Sequence, residues 1–380
     1  MKKLNPLDFI EQHKDDLLTT YQELHCLAEP SWKEEKTSGY IAEKLQTAGF
    51  HVKKYSDHFG LMAEIPGTSD QVVALRADMD ALVQEVNGVV RPNHSCGHDA
   101  HSTMVLYSAL ALAASGLKPK QTIRFIFQPA EEKGEGALKM MADGVLEKVS
   151  LLFGTHVRPV SELPYLKASP VIIHGSAGTI RGTIKGRQAH AARPNEGINV
   201  IETAALLVQK LKEINLRTVV PYSVKMTQLT TESDATNVIP ETAHFALDIR
   251  AQSNDVMAEL EQRTCQAMEL AAEHTGAVIT WAIEELVPAA AINEKAMKLA
   301  EKAIAEILGK ERVAPVCISQ GAEDFHFYTA KNPGLAATMI GLGCGLTPGL
   351  HHPEMRFNLD ALIYGTKILT QTLLTALQET

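Results

Sequence analysis

The sequence is short of cysteine, and it contains no long apolar run. Its 380 residues include five cysteines, which are odd in number, widely scattered and without a regular spacing. This pattern is typical of reduced thiols in a cytoplasmic protein and argues against a disulfide framework. No run of about 18 apolar residues occurs, and the N-terminus lacks the apolar segment of a signal peptide. We therefore expect a cytoplasmic protein without a transmembrane helix.

Positive charge is also scarce. Lys and Arg number 36 against 45 Asp and Glu, which gives a net charge of −9. Such a surplus of acid argues against nucleic acid or an anionic membrane as the main partner. Apolar residues make up 45% of the chain and charged residues 21%, as in ordinary globular proteins. At this length we expect two domains, or one domain with a large insertion.

The first part of the chain alternates apolar strands with helices. Three near-continuous apolar runs are predicted as buried parallel strands: residues 71–76, 122–127 and 150–154. Strands alternating with helices indicate an α/β sheet with right-handed crossovers, which binds ligands outside the carboxyl ends of its strands. The residues that follow the three runs are acids and a histidine: Asp78, Asp80, Glu131, Glu132 and His156. Their coincidence predicts a functional site at this edge of the sheet.

A cysteine and three histidines cluster in residues 93–101, which are N-H-S-C-G-H-D-A-H. Cys96 and His98 flank Gly97, whose missing side chain lets the backbone bend so that thiolate and imidazole converge. These ligands suit zinc and its first-row neighbours. The alternative interpretation is a buried thiol beside a helix start, with Asp99 capping the helix.

Glu131 and Glu132 form an adjacent acidic pair. Neighbours within one strand point to opposite faces, but Pro129 ends the strand first, so both carboxylates can converge from a loop. Near Cys96 and His98, one carboxylate can bind a metal while the other acts as general base on a water. A plain pair of solvated charges is the alternative interpretation.

In the middle of the chain the pattern changes to a β-α-β-β-α-β order, which indicates a ferredoxin-like unit. Its predicted elements are residues 179–186, 198–214, 222–230, 243–251, 254–275 and 277–284. After Pro288 the first pattern resumes. We therefore predict a split catalytic domain, residues 1–177 and 287–380, with residues 178–286 inserted in it.

Several polar residues are ambiguous when taken singly. His190 follows a strand of the inserted domain and is either a substrate-facing hydrogen-bond donor or a cap at a helix entry. Asn237 is unremarkable, and an arginine at a strand end, such as Arg250, is usually a solvated charge. His351 and His352 are either metal ligands or a surface pair.

Eight short motifs occur in one order along nearly the whole chain: A-L-R-A-D-M-D-A-L, H-S-C-G-H-D-A-H, F-Q-P-A-E-E, G-T-H-V, H-A-A-R-P, T-N-V-I-P, G-A-E-D-F and L-H-H-P. In this order they resemble the dinuclear metallo-amidohydrolases related to aminoacylase. The branch they resemble most is that of hippurate hydrolase, N-acetyl-diaminopimelate deacetylase and the plant auxin-conjugate hydrolases. Two departures are Val83, where a proline is familiar, and residues 357–360, where an acidic pair is usual. Neither touches a ligand implied by the resemblance.

The resemblance implies a dinuclear metal site and a role for each candidate residue. The implied metal ligands are Cys96 as the bridge, His98, Glu132, His156 and His351. Two divalent ions per subunit are implied, with zinc as the first expectation and manganese, cobalt or nickel as alternatives. The other implied roles are Glu131 as general base, Asp78 as a support behind the ligands, His190 as oxyanion donor, and Asn237 and Arg250 as substrate contacts.

The resemblance also implies a mixed-sheet α/β catalytic domain whose inserted domain is a lid and pairs with its copy in a homodimer. The expected reaction is hydrolysis of the amide bond of small N-acyl amino acids or related conjugates. A dipeptidase or carboxypeptidase with the same dinuclear site is the alternative among enzymes. A small-molecule binding protein that kept the fold is the non-catalytic alternative, although a binder has no need of a free carboxylate beside a metal ligand.

Overall fold

The protein forms two compact units. Their bounds come from a computed structural model that describes residues 4–379, apart from the side chain of residue 285. The first unit comprises residues 4–173, 291–319 and 324–379, and the second comprises His174–Ala290 and Gln320–Glu323. Each unit encloses its own apolar core. The role of the second unit as a lid and dimerisation domain stays a prediction.

Several helices begin where a short polar side chain caps them. Asn199, Ser253 and Asn293 each accept a backbone N–H group from the first turn of the following helix. The helices are α1 (Pro6–Gln12), α2 (Lys14–Leu27), α3 (Glu35–Thr47), α4 (His98–Ala114), α5 (Gly136–Ala142), α6 (Val200–Glu213), α7 (Asn254–Thr275), α8 (Glu294–Leu308), α9 (His326–Lys331) and α10 (Asp360–Gln378). Every one of them, within residues 4–379, is too short or too polar to cross a bilayer.

Strands occur in both units, and those of the first unit alternate along the chain with helices, as the apolar runs predict. The strands are β1 (Val52–Lys54), β2 (Leu61–Ile65), β3 (Val72–Asp78), β4 (Leu82–Val86), β5 (Val89–Asn93), β6 (Thr122–Gln128), β7 (Val149–Pro159), β8 (Ala168–Ser169), β9 (Ile172–His174), β10 (Ser176–Lys185), β11 (Ala189–His190), β12 (Tyr222–Thr231), β13 (Val238–Ile239), β14 (Thr242–Ala251), β15 (Val278–Val287), β16 (Cys317–Ser319) and β17 (Ala336–Leu346).

The main sheet of the first unit has the strand order β1-β2-β6-β3-β7-β17-β8. Its central strands β6, β3, β7 and β17 pair in parallel, whereas β1, β2 and β8 pair antiparallel. All seven residues of β3 are buried, as expected of a strand covered on both faces. The prediction of a mixed-sheet α/β fold is confirmed.

The sheet of the second unit has the order β12-β14-β10-β15, and its neighbouring strands are antiparallel. This is the strand order of a ferredoxin-like unit. Helices α6 and α7 contribute Leu207 and Met268 to a core shared with Ile180 and Leu247 of the sheet. The apolar period therefore places both helices against one face of this sheet.

Two features of the first unit differ from the sequence expectations. Strand β7 does not end before His156 but continues to Pro159, because it pairs with β17 along that whole length. The hairpin of β4 and β5 was not predicted. Its turn, Asn87-Gly88, has positive φ at both residues, which is the chemistry of a two-residue hairpin turn.

Candidate metal centre

A glycine turn places Cys96 and His98 at the start of α4. Gly97 has a φ of +86°, and a Cβ atom added there would lie 2.5 Å from Cγ2 of Val157. Only glycine fits both conditions. The helix begins at His98, so this side chain is fixed by helical geometry while Cys96 precedes it.

The acidic pair lies on a turn after β6, as predicted. Ala130 adopts a φ of +52°, and a short 3-10 helix, Glu131–Lys133, follows it. His156 projects from within β7, and the backbone N–H of His351 donates to the Ser95 carbonyl at 2.8 Å. The turn, the strand and the loop thereby bring acids and imidazoles to the same edge of the main sheet.

The side-chain atoms at this edge have the spacing of ligands around an ion. His98 Nε2 lies 3.8 Å from Glu132 Oε1, and His351 Nε2 lies 3.6 Å from the same oxygen. Cys96 Sγ lies 3.6 Å from His156 Nε2. Two ligands bound at about 2.0–2.3 Å with a tetrahedral angle between them lie about 3.3–3.8 Å apart.

Two of these atoms are buried without a hydrogen bond. Among residues 4–379, neither His98 Nε2 nor Glu132 Oε1 has a hydrogen-bond partner. Buried polar atoms are normally paired, so an imidazole nitrogen and a carboxylate oxygen that face each other without partners suit the binding of a cation. Two overlapping groups share the thiol: Cys96 with His98 and His156, and Cys96 with Glu132 and His351. This set of thiol, imidazole and carboxylate donors fits divalent metal ions.

The electrostatics of the donor set also favour a cation. Burial and the Glu132 carboxylate raise the pKa of the Cys96 thiol well above its usual value. Burial raises the pKa of Glu132 to about 7. Burial lowers the pKa of His156 well below its usual value, which keeps this imidazole neutral and able to bind a metal. Burial makes the thiol and the acid resist ionisation, and the charge of a divalent ion would favour their ionised, metal-binding forms.

Asp80 orients two of the candidate ligands. Its Oδ1 lies 3.1 Å from His98 Nδ1, and its Oδ2 accepts the Glu132 backbone N–H at 3.1 Å. Holding Nδ1 turns Nε2 of His98 towards the cluster. The sequence placed Asp80 at a strand end but gave it no role. The only sequence signal was its spacing of two residues from Asp78.

Asp78 is fully buried and bonded to the side chains of His101 and Arg76. His101 Nδ1 lies 2.7 Å from Oδ1, and Arg76 Nη1 donates to Oδ2 at 2.7 Å. Burial alone would raise the pKa of Asp78, but His98, His101 and Arg76 hold it well below its usual value. Its carboxylate also lies 3.9 Å from His98 Nε2. Asp78 is therefore ionised and lies beside the ligands.

A buried hydrogen-bond network fixes these residues to the rest of the unit. Arg76 also donates to Asp324 at 2.9 Å and to Gln128 at 2.8 Å. Asp324 accepts two further N–H groups, from the Gln128 side chain and the Ala137 backbone. Its own backbone N–H donates to Glu131 Oε1 at 3.4 Å. The network joins β3, β6 and the segment before α9 behind the acidic pair.

In the second unit, His190 and Asn237 lie together. The Ala191 N–H donates to the Asn237 carbonyl at 2.9 Å, between β11 and β13. The His190 ring is exposed, and its Nδ1 accepts the Ala192 N–H at 3.0 Å. This bond fixes the tautomer with the proton on Nε2, so the ring presents a donor to the surroundings.

Arg250 lies elsewhere in the second unit. It is near the end of β14, roughly 26 Å along the strand from Thr242 at about 3.3 Å per residue. Its guanidinium donates to Asp248 at 2.9 Å. The second unit thus groups His190 with Asn237 but does not group either with Arg250.

Comparison with known proteins identifies the family of this chain. A model described as peptidase family M20/M25/M40 matches residues 74–375. An N-acetylcysteine deacetylase of Bacillus subtilis is 30% identical over 373 residues, which are 93% of this chain and 95% of that protein. An IAA-amino acid hydrolase of Arabidopsis thaliana is 29% identical over 374 residues, 94% of this chain and 86% of that protein.

A solved structure is similar in both fold and sequence. It is a dinuclear metal-binding peptidase of the M20 family from Bacillus subtilis, with a TM-score of 0.82 and 26% identity over 97% of this chain and 100% of that chain. The family model and the relatives confirm that the protein is an amide-bond hydrolase, and they confirm the family resemblance that the motifs indicated. The chain belongs to peptidase family M20/M25/M40.

Proposed function

We propose that this protein hydrolyses the amide bond of N-acyl amino acids or related amino-acid conjugates at a dinuclear metal site. The observation that carries the proposal is that two adjacent carboxylates, Glu131 and Glu132, reach the same cluster of imidazoles. Glu132 has an orphaned oxygen at ligand distance from His98 and His351, whereas Glu131 lies beside it as a second carboxylate. The printed names of the relatives, a deacetylase and an amino-acid-conjugate hydrolase, support this substrate class.

We assign the metal ligands to the residues that the sequence implied: Cys96, His98, Glu132, His156 and His351. Divalent ions at such a site act as Lewis acids that polarise a carbonyl group and lower the pKa of water. Zinc suits a donor set of thiolate, imidazole and carboxylate, and manganese, cobalt or nickel are the alternatives. All five cysteines of the chain are free thiols, which supports a cytoplasmic location.

Glu131 would move the proton. Its Oε2 lies 3.7 Å from His98 Nε2, so the carboxylate reaches the ligand cluster. We assign it to proton transfer because the five other donors already supply the ligands. In this role it takes a proton from the water that attacks the amide carbon. It then gives the proton to the nitrogen as the carbon–nitrogen bond breaks. Asp80 would keep the His98 imidazole in its orientation, and Asp78, bonded to His101, would support the site from behind the ligands.

The second unit would supply the remaining groups. The Nε2–H donor of His190 suits the oxygen that becomes negative in the tetrahedral intermediate. Asn237, beside it, would contact the substrate, and Arg250 is proposed to pair with the substrate carboxylate. We further propose a homodimer formed through this unit, in which His190 serves the site of the partner subunit.

The proposed reaction is tested by metal loading and amine release. Metal-free protein is loaded separately with zinc, manganese, cobalt or nickel and given a panel of N-acyl amino acids and dipeptides. Metal-dependent amine release from the N-acyl amino acids, faster than from the dipeptides, supports the proposal. Release from dipeptides alone would make the protein a dipeptidase.

A further inference from the structure

The turn that carries the acidic pair contains a backbone conformation that needs support. Ala130 immediately precedes Glu131 and has a φ of +52°, and Trp32, distant in sequence, has a φ of +66°. Residues other than glycine rarely adopt this left-handed conformation and keep it only where surrounding contacts hold it. The question is what holds both residues in place.

One buried carboxylate oxygen contacts both of them. Glu34 Oε1 accepts the Ala130 N–H at 2.9 Å and the Trp32 N–H at 3.0 Å. Glu34 is completely buried, and among residues 4–379 its other oxygen, Oε2, has no hydrogen-bond partner. A buried carboxyl is costly to keep, and here it satisfies two backbone donors at two unusual positions.

Neighbours of Glu34 contact the other end of the same turn. Ser31 Oγ donates to Asp80 Oδ2 at 2.6 Å, and that oxygen also accepts the Glu132 N–H. Trp32 Nε1 donates to Glu135 Oε2 at 2.7 Å. The segment Ser31–Glu34 therefore contacts the chain before and after the acidic pair, and it reaches Glu132 through Asp80.

We propose that Glu34 is a positioning residue for the reaction: by holding the Ala130 N–H it fixes the turn that aims Glu131 and Glu132. The inference rests on the proposed function through the roles of those two acids. Burial raises the pKa of Glu34 to about 7. The part of the side chain that contacts the turn is the acceptor oxygen Oε1. Glutamine keeps an acceptor oxygen, so Glu34→Gln should preserve the contact and the activity.

The first test compares three variants: Glu34→Ala, Glu34→Gln and, as control, Glu35→Gln at the exposed next residue. We expect Glu34→Ala to lower kcat by about 10- to 100-fold with KM within about threefold, because misplaced catalytic groups cost turnover more than binding. Glu34→Gln and Glu35→Gln should stay within about threefold of the wild type. If Glu34→Ala unfolds, Glu34→Leu, which fills similar space without an acceptor, takes its place.

The second test does not depend on activity. Amide hydrogen exchange of residues 129–133 is measured in the metal-free protein, together with Tm and metal content. Faster exchange in Glu34→Ala but not in Glu34→Gln supports the inference. A lowered Tm with unchanged kcat and unchanged exchange would show a merely structural role and overturn it, as would equal losses in both Glu34 variants. If the wild type and Glu35→Gln cleave no amide, the proposed function fails, and the exchange result still decides the role of Glu34.

Discussion

At the scale of single residues, the candidate metal site is marked by two buried atoms without a hydrogen-bond partner among residues 4–379, His98 Nε2 and Glu132 Oε1. Cys96 brings a thiol whose pKa is raised by burial and Glu132, and His98 brings an imidazole. Burial alone would lower the pKa of His98, but the negative charge of Asp78 raises it well above its usual value. In the absence of metal, both donors therefore hold protons at neutral pH.

Protons should compete with the metal for these donors. Because thiolate and neutral imidazole are the binding forms, metal binding releases protons and its affinity weakens as the pH falls. Metal titrations at two pH values on either side of neutrality measure this effect. Cys96→Ala should lose metal while keeping the Tm of the metal-free protein. An affinity that is independent of pH, or full metal content in Cys96→Ala, would exclude the thiol as a ligand.

A substitution of Asp80 tests whether residues that contact the candidate ligands affect metal affinity. Asp80→Asn removes the negative charge that faces His98 and the Glu132 N–H, and we expect metal affinity to fall about 10- to 100-fold. Asp70→Asn is the matched control, since the Asp70 side chain is 95% exposed. Equal affinity in both variants would show that Asp80 does not orient the ligands. Competition with a chelator of known affinity gives the measurement.

The sequence motifs named candidate donors but gave no role to Asp80 or Glu34. Cys96, His98 and the acidic pair stand in short motifs whose chemistry is local. The role of Asp80 depends on a contact with a residue 18 positions away, and that of Glu34 on one 96 positions away. Such contacts are set by the packing of the whole unit and leave no local pattern.

At the scale of elements, two glycines differ in whether their position has room for a side chain. Gly136 starts α5, and a Cβ atom added there would lie 1.7 Å from the Pro129 carbonyl oxygen. Gly39 lies inside α3, where an added Cβ would have nothing within 4 Å. The two positions should respond to alanine in opposite directions.

We expect Gly136→Ala to destabilise the protein by about 1–3 kcal/mol, because the turn must move to admit the methyl group. Gly39→Ala should stabilise it by about 0.5–1 kcal/mol, since alanine loses less backbone entropy in a helix. Denaturant unfolding of both variants measures the changes in free energy. Equal stability of the two would contradict the close contact at Gly136.

The apolar period predicted which segments are helices and which are strands, but it did not predict where every element ends. Helix α7 has the predicted bounds because Ser253 caps its first turn. Strand β7 extends past its apolar run because pairing with β17, far along the chain, continues the ladder. Tertiary pairing of this kind overrides local sequence signals.

At the scale of the whole molecule, the proposed chemistry is divided between two units. The candidate metal ligands lie in the first unit, and His190 with Asn237 lies in the second. His190→Ala should lower kcat strongly with metal content unchanged, whereas Arg250→Ala should chiefly raise KM. Steady-state kinetics with metal analysis of both variants separates these roles.

Subunit mixing tests whether His190 serves the partner's site. Inactive His190→Ala and inactive Glu131→Gln proteins are mixed under conditions that exchange subunits. The shared-site proposal predicts recovered activity, because one site of each heterodimer then has both groups intact. Each variant mixed with itself is the control. Confirmed subunit exchange without any activity would confine His190 to its own subunit or remove it from catalysis.

The most direct test of the central claim measures metal content and amine release on the same samples of wild type and Glu131→Gln. If Glu131 is the general base and not a ligand, Glu131→Gln should keep up to two divalent ions per subunit and the wild-type fold. Its turnover should fall by about 10²-fold or more, because proton transfer is removed. Glu132→Gln, the adjacent control, should lose metal as well. Near-normal turnover in Glu131→Gln, or no stoichiometric metal in the wild type under any loading condition, would contradict the account.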